Sequence, residues 1–242
     1  INISKTNIFT FFHNVEAIFF WGLFKLNPSL KAFFICITNY FAERNACKYS
    51  DKIICLSSHD ESQLNKLYRF KISSYISSIS LLDQFIESKK INNKFNNKKF
   101  AIFIGTNFYA NKEGIIWFSK NVAPFINIDI YVIGSGFEDI KDEIEISENV
   151  FVIGRVENLT EYYRSALFVI APIFNGSGMK TKVAEALMHG KKIVGTKEAF
   201  LGYEDVQLKA GWICSSSRDF IKTISHISNK KINVFDEELR LI

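Results

Sequence analysis

The sequence predicts an α/β protein built on doubly wound, Rossmann-like parallel sheets. Three observations carry that prediction. Short β-rich apolar runs alternate with helical patterns between residues 98 and 206, a spacing that places helices between parallel strands. Three glycine-bearing loops follow those runs: Gly105-Thr106-Asn107, Gly134-Ser135-Gly136 and Asn175-Gly176-Ser177-Gly178. A chain of 242 residues, 48% of them hydrophobic, can bury one large core or two modest ones. We expect two units, a partial Rossmann-like unit with its linker over residues 1–95 and a complete one over residues 96–242.

Taken in order, residues 8–12 form an apolar run ending at His13-Asn14, which reads as a buried strand followed by a loop. Helices are expected near 15–26 and 29–47, broken at Pro28, because proline is accepted at a helix start but not inside one. Residues 52–56 read as a second buried strand. Ser58, followed three positions later by Glu61, offers a capping box for a helix reaching about Tyr68. Ile72, Ile76 and Ile79 then recur at helical spacing among serines, and the polar tract 89–99 reads as a linker. Beyond it, strands are expected at 100–104, 128–133, 150–153, 167–171 and 192–195, with helices at 112–121, 158–166 and 179–189.

Charge and composition exclude several functions. Thirty Lys and Arg against 25 Asp and Glu give +5, spread along the chain rather than gathered into the basic stripe of a nucleic-acid binder. Cys36, Cys47, Cys55 and Cys214 lack CxxC spacing and histidine partners at metal-ligand spacing, and a reducing, cytoplasmic setting fits. Lys25, Pro28 and Lys31 interrupt the apolar stretch 15–42 before a bilayer-spanning length is reached, which leaves buried or interfacial helices and docking on the inner face of a membrane as expectations. Ile1-Asn2-Ile3-Ser4-Lys5 does not resemble a signal peptide, and the chain is expected to begin within a longer protein.

The stretch from Pro172 to Leu187 concentrates the chemistry. Glycines that end a strand and open a helix turn unpaired N–H groups and the positive helix end toward the crevice at the strands' carboxyl ends, a cradle for a diphosphate. Met179, Val183, Ala186 and Leu187 fall at the 3.6-residue period and should face the sheet. Thr181, Lys182 and Glu185 share another side, where a carboxylate can accept two hydrogen bonds from a ribose diol. Glu185 alone would be an ordinary solvated carboxylate; its setting argues otherwise. Gly134 and Gly136 suit a tight turn as well as a ligand loop, and Arg155, after a strand, suits a nucleotide or the surface.

The segment GSGMKTKVAEALMHGKKIVGT resembles the donor-site signature of glycosyltransferase family 4, the GT-B "group 1" transferases. The resemblance runs through most of 99–206, taking in IGTNFYANKEGIIWF, IYVIGSG and VFVIGRVENLTEYYRSALFVIAP. Upstream, FFHNVE and SDKIICLSSHDE are similar to the second half of that family's amino-terminal domain, whose first half has no counterpart here. The resemblance implies a GT-B fold and a retaining transfer of sugar from a nucleotide-diphosphate sugar to a glycan or lipid-linked acceptor, in bacterial surface polysaccharide synthesis. It implies no cofactor and no metal, since amides and cations stabilise the departing diphosphate, and the leaving phosphate itself helps deprotonate the acceptor.

Residue by residue, the resemblance gives the ribose to Glu185, the second glutamate of an E-x7-E motif. The first falls on Ser177, a departure that keeps a non-catalytic nucleotide-sugar or glycan-binding reading open. The family's diphosphate-holding Arg and Lys belong in and after the first loop, where this chain has Gly105, Thr106, Asn107 and Lys112. Lys180 and Lys182 are expected to supply the missing charge. Gly134, Arg155, Gly176, Gly178, Met179 and Thr181 complete the expected donor site, and His13 corresponds to an active-site histidine that positions the donor phosphate or the acceptor.

Overall fold

A computed structural model describes residues 6–83, 85, 95, 98–176, 178–229 and 236–240. The chain divides into two compact units, one comprising Ile1–Ile79 with the segment Asn175–Met179, the other Ser80–Phe174 with Lys180–Ile242.

In the first unit, β1 (Phe9–Phe12), β2 (Lys52–Cys55) and β3 (Tyr75–Ile76) form a parallel sheet in the order β1-β2-β3. Helices α1 (Glu16–Leu26) and α2 (Leu30–Tyr49) lie between β1 and β2, and α3 (Ser58–Tyr68) follows β2. The break at Asn27-Pro28 is as expected, and Ser29 caps α2 by accepting from the Ala32 amide at 3.1 Å. The core gathers Phe12, Val15, Cys47, Ile53, Cys55, Leu64 and Tyr68.

Three expectations fail in this unit. The run 8–12 is not a buried strand throughout, for Phe9 is 65% and Phe11 40% exposed; only alternate residues face the core, as in a sheet covered on one side. The Ile72, Ile76, Ile79 spacing builds no helix, and Tyr75–Ile76 instead pairs with Ile54 and Cys55 as β3. The cap of α3 is Ser57 rather than Ser58: Ser57 Oγ accepts from the Asp60 amide at 3.2 Å and donates to Asp60 Oδ2 at 2.7 Å. Glu61, freed from the cap, accepts from the Ser74 amide at 2.6 Å.

The second unit carries β4 (Phe100–Ile104), α4 (Tyr109–Asn121), β5 (Asp129–Ile133), α5 (Lys141–Ile144), β6 (Val150–Gly154), α6 (Leu159–Ser165), β7 (Val169–Ala171), α7 (Thr181–Met188) and β8 (Ile193–Gly195). Then come α8 (Gln207–Ala210), β9 (Gly211–Ile213), α9 (Ser217–Asn229) and α10 (Glu237–Arg240), none of which the alternation read from the sequence includes. All six strands are parallel, in the order β6-β5-β4-β7-β8-β9. Every residue of β4, β7 and β8 is buried, because helices cover both faces of such a sheet. The chain winds outward from β4 to β6, then returns to β7 beside β4 and winds the other way. That reversal makes the β4/β7 boundary the switch point, where loops at the strands' carboxyl ends diverge and leave a crevice.

The polar tract expected as a linker falls largely outside the described residues. Among the described residues, no helix is long and apolar enough to cross a membrane, and no group of His, Cys, Asp and Glu could hold a metal ion.

Candidate functional site at the switch point

The loop after β4 carries Gly105, Thr106 and Asn107 and lies directly against the loop after β5. A Cβ on Gly134 would come within 1.5 Å of the Gly105 carbonyl oxygen, and its φ of 136° suits glycine alone. The Asn107 amide donates to Ser135 O at 3.1 Å and its side chain to Gly136 O at 2.9 Å. The glycines therefore let two backbone turns pack where side chains would keep them apart. On the other side of the switch point, α4 packs so tightly on the chain leaving β7 that a Cβ on Gly114 would sit 2.0 Å from Pro172 O.

Helix α7 begins at Thr181, two residues later than expected, with Lys180 as its N-cap. Gly176 (φ 148°) and Gly178 (φ 67°) precede it. Ser177 lies outside the described residues. Val183, Ala186 and Leu187 are buried, so the period assigned the helix's core face correctly, and Met179, which precedes the helix, is buried too. Lys180 Nζ pairs with Glu198 Oε1 at 3.1 Å, and the Lys180 carbonyl accepts from the Tyr203 hydroxyl at 3.0 Å. Thr181 is exposed.

Lys182 turns toward α4. Its Nζ donates to Asn111 Oδ1 at 2.7 Å and lies 4.4 Å from the centre of the Phe103 ring. Burial above all, and then the charge of Lys180, push its ammonium down to about 7, with Glu185 opposing. Glu185 is half-buried, and its Oε2 accepts from the Tyr163 hydroxyl at 3.1 Å. Burial holds this carboxyl above the ordinary range, against the lowering effects of Tyr163 and Lys182. Tyr163 stacks on His189 with centroids 4.4 Å apart and planes at 16°. Burial pushes that imidazole down to about 4 and keeps it neutral. Beside the carboxylate, Leu81, Leu82, Leu159, Tyr163, Met188 and His189 line a cavity of 90 Å³. It has room for a few waters, which the paired hydroxyls of a diol could replace.

Other expected site residues lie elsewhere. Lys112 is half-buried on α4, paired with Glu143 at 2.9 Å. Arg155 is exposed after the edge strand β6, its amide donating to Glu138 Oε1 at 3.1 Å. His13 belongs to the first unit, exposed after β1, with its ring 4.8 Å from that of Phe11. The segment Asn175–Met179 also groups with that unit, and a Cβ on Gly178 would meet His13 O at 3.1 Å. Asn111, Tyr163, His189, Glu198 and Tyr203 were not anticipated. Helical periodicity ranks residues by face and does not reveal partners 18 to 71 positions away in sequence.

The family model described as "Glycosyl transferases group 1" matches residues 98–230, more than half of the chain. A curated relative, an uncharacterized 44.6 kDa protein in the cps region of Klebsiella pneumoniae, is 25% identical over 240 residues, covering 92% of this chain. The chain spans 59% of that relative's length. Among solved structures, sucrose-phosphate synthase from Thermosynechococcus elongatus superposes with a TM-score of 0.69 at 15% identity, over 91% of this chain and 58% of its own. WaaG, a glycosyltransferase involved in lipopolysaccharide biosynthesis, gives 0.67 at 15% identity over 96% and 67%. At such identities the likeness carries the fold, the two-domain GT-B fold with doubly wound Rossmann-like sheets.

Proposed function

We propose, of a chain that belongs to the glycosyl transferases group 1 family, that it serves in a retaining hexosyl transfer from a nucleotide-diphosphate sugar to a glycan or lipid-linked acceptor. The process is bacterial surface polysaccharide synthesis, in the cytoplasm at the inner membrane face. The observation that carries this reading is Glu185, half-buried, held by Tyr163 at 3.1 Å and lining a small cavity. A carboxylate so held presents acceptor lone pairs to a ribose diol, while the turn at Gly105 offers backbone amides to the diphosphate.

The transfer breaks the bond between the sugar's anomeric carbon and the diphosphate oxygen and forms one to the acceptor oxygen. The acceptor's proton goes to the departing phosphate, and the chain's work is to stabilise the growing negative charge without a metal. His13 positions the donor phosphate or the acceptor. The α1–α2 pair, with Trp21, Phe33 and Phe41 exposed around an apolar cavity of 370 Å³, is the part suited to a membrane face. Flotation of the chain with anionic liposomes checks that association, and an unshifted chain rejects it.

Calorimetry with UDP, GDP and dTDP, followed by nucleotide-release assays on their sugars with acceptor mixtures, tests the function. One nucleotide should bind, and Glu185→Gln should weaken it by about 10- to 100-fold, the worth of a charged hydrogen-bond pair. If none of the three binds, the proposal is wrong. Binding without release would favour the non-catalytic reading, which Ser177 in place of the family's first glutamate supports.

A further inference from the structure

Lys182 stands at the second position of α7, where a cation faces the positive end of its own helix. Its neighbours are specific. The ammonium reaches across to α4 and meets Asn111 Oδ1 at 2.7 Å, with the Phe103 face 4.4 Å away. The other end of the same amide is also engaged, since Asn111 Nδ2 donates to Thr106 O at 3.0 Å. Asn111 lies so close under the turn that a Cβ on Gly105 would fall 2.7 Å from Nδ2. One side-chain amide thus connects the helix on one side of the switch point to the glycine turn on the other.

We propose that Lys182 is a positioning residue rather than a phosphate ligand, and that through Asn111 it holds the Gly105-Thr106 turn in the shape a diphosphate requires. The inference rests on the reading of this sheet edge as a nucleotide-diphosphate site. The chemistry favours a clamp over direct contact. An ammonium donating to an amide oxygen and lying over an aromatic face has its hydrogen bonds and field directed into the protein, whereas a phosphate ligand on a flexible stem would be expected to reach outward. The charged groups around it are Lys180, turned to Glu198 at 3.1 Å, and Glu185, turned to Tyr163. On α4, Lys112 beside Asn111 is paired with Glu143. Lys182 can lose its proton near neutral pH, and the clamp then weakens at both contacts, the amide bond and the ring.

The test compares Lys182→Met, Asn111→Ala and the double variant with the wild-type chain. Hydrogen exchange over residues 104–108 should rise at least fivefold in either single variant and no further in the double, because both remove one linkage. Additive increases, or none, would overturn the clamp. Whichever of UDP, GDP and dTDP binds should lose about tenfold in affinity in each single variant and no more in the double. Loss on Lys182→Met with none on Asn111→Ala would establish a direct phosphate contact and defeat the proposal. Between pH 7 and 9, where the diphosphate is fully ionised, the ratio of wild-type to Lys182→Met affinity should shrink toward one as the wild-type ammonium deprotonates; a constant ratio counts against the clamp. If no nucleotide binds the wild type, the function proposed above falls, and hydrogen exchange alone still decides whether Lys182 holds the turn.

Discussion

Two buried charges, Glu43 in the first unit and Lys191 in the second, are opposite in sign and serve opposite ends of helices. In the first unit Glu43, 5% exposed on α2, accepts from the amides of Glu16 at 2.7 Å and Ala17 at 3.3 Å, and from the Tyr68 hydroxyl at 2.5 Å. Those amides open α1, whose own N-cap, Val15, has no side chain that could serve them. In the second unit Lys191, fully buried, donates to Arg164 O at 3.0 Å and Ala166 O at 2.8 Å, carbonyls at the end of α6. A carboxylate at a helix start and an ammonium at a helix end both complement the dipole and satisfy groups a helix leaves unpaired. The difference is in what surrounds them. Glu43 meets three donors, two amides and a phenol, while Lys191 meets the carbonyl oxygens of Arg164 and Ala166. A helix end can thus be capped from 25 or 27 residues away by whichever charge its dipole selects.

Removing Glu43 should have the largest effect. Glu43→Ala leaves two helix amides and a buried phenol without their acceptor, and losing one side of a buried charged network costs about 3–5 kcal/mol. Urea unfolding of the variant should show that loss, with the second unit's transition unchanged if the units melt separately. A cost below about 1 kcal/mol, the worth of an ordinary hydrogen bond, would mean the carboxylate is not the cap of α1.

Lys191→Met should cost less, about 1–2 kcal/mol at pH 7, because the carbonyls lose a donor while the desolvation penalty of the ammonium disappears with it. Its sharper signature is in pH. Burial pushes Lys191 from its ordinary 10.5 down to about 7, so between those values the unfolded chain holds a proton that the folded chain lacks. Stability therefore rises with pH through that window, by up to about 1.4 kcal/mol per unit. Lys191→Met should flatten this contribution. Glu43 acts in the opposite sense. Burial raises its carboxyl above 4.5, so its contribution is complete below 4.5 and is lost as pH rises through the raised value. If unfolding from pH 7 to 10 shows the same slope in wild type and Lys191→Met, the ammonium is not buried as described.

These buried charges also mark where sequence reasoning stops. Strands β4 to β8 were legible because each is an apolar run bounded by turn residues, and β4 is buried along its whole length. The same kind of run at 8–12 gave a strand with the wrong exposure, because a run of apolar residues does not reveal whether one or both faces are covered. Phe220, Ile224 and Ile227 sit at a helical period on α9 that the sequence reading left unused, whereas the three residues of β9 open on glycine and lack any strand pattern. Within the candidate site, the glycine loops and the core face of α7 could be read locally. Asn111, Tyr163 and Glu198 could not, since each meets its partner through the folded sheet and none belongs to the motif. Lys191 illustrates the same limit, for in sequence it is one of two adjacent lysines before an apolar strand, and only the fold distinguishes it from Lys192.

The smallest test concerns a cap that is local rather than distant. Ser57 and Ser58 are adjacent hydroxyls, and sequence spacing alone favours Ser58 with Glu61 three positions later. In the structure Ser57 is 6% exposed and exchanges two hydrogen bonds with Asp60, whereas Ser58 is exposed on the first turn of α3 and Glu61 serves Ser74. Ser57→Ala should therefore cost about 1 kcal/mol, the usual worth of an N-cap hydroxyl. Ser58→Ala should be neutral or slightly stabilising, since alanine is the better helix former within a first turn. Thermal unfolding of the pair measures the difference directly. Equal effects would mean that α3 begins one residue later than its hydrogen bonds indicate, and a larger loss from Ser58→Ala would restore the Ser58–Glu61 box and leave Asp60 without a role in capping.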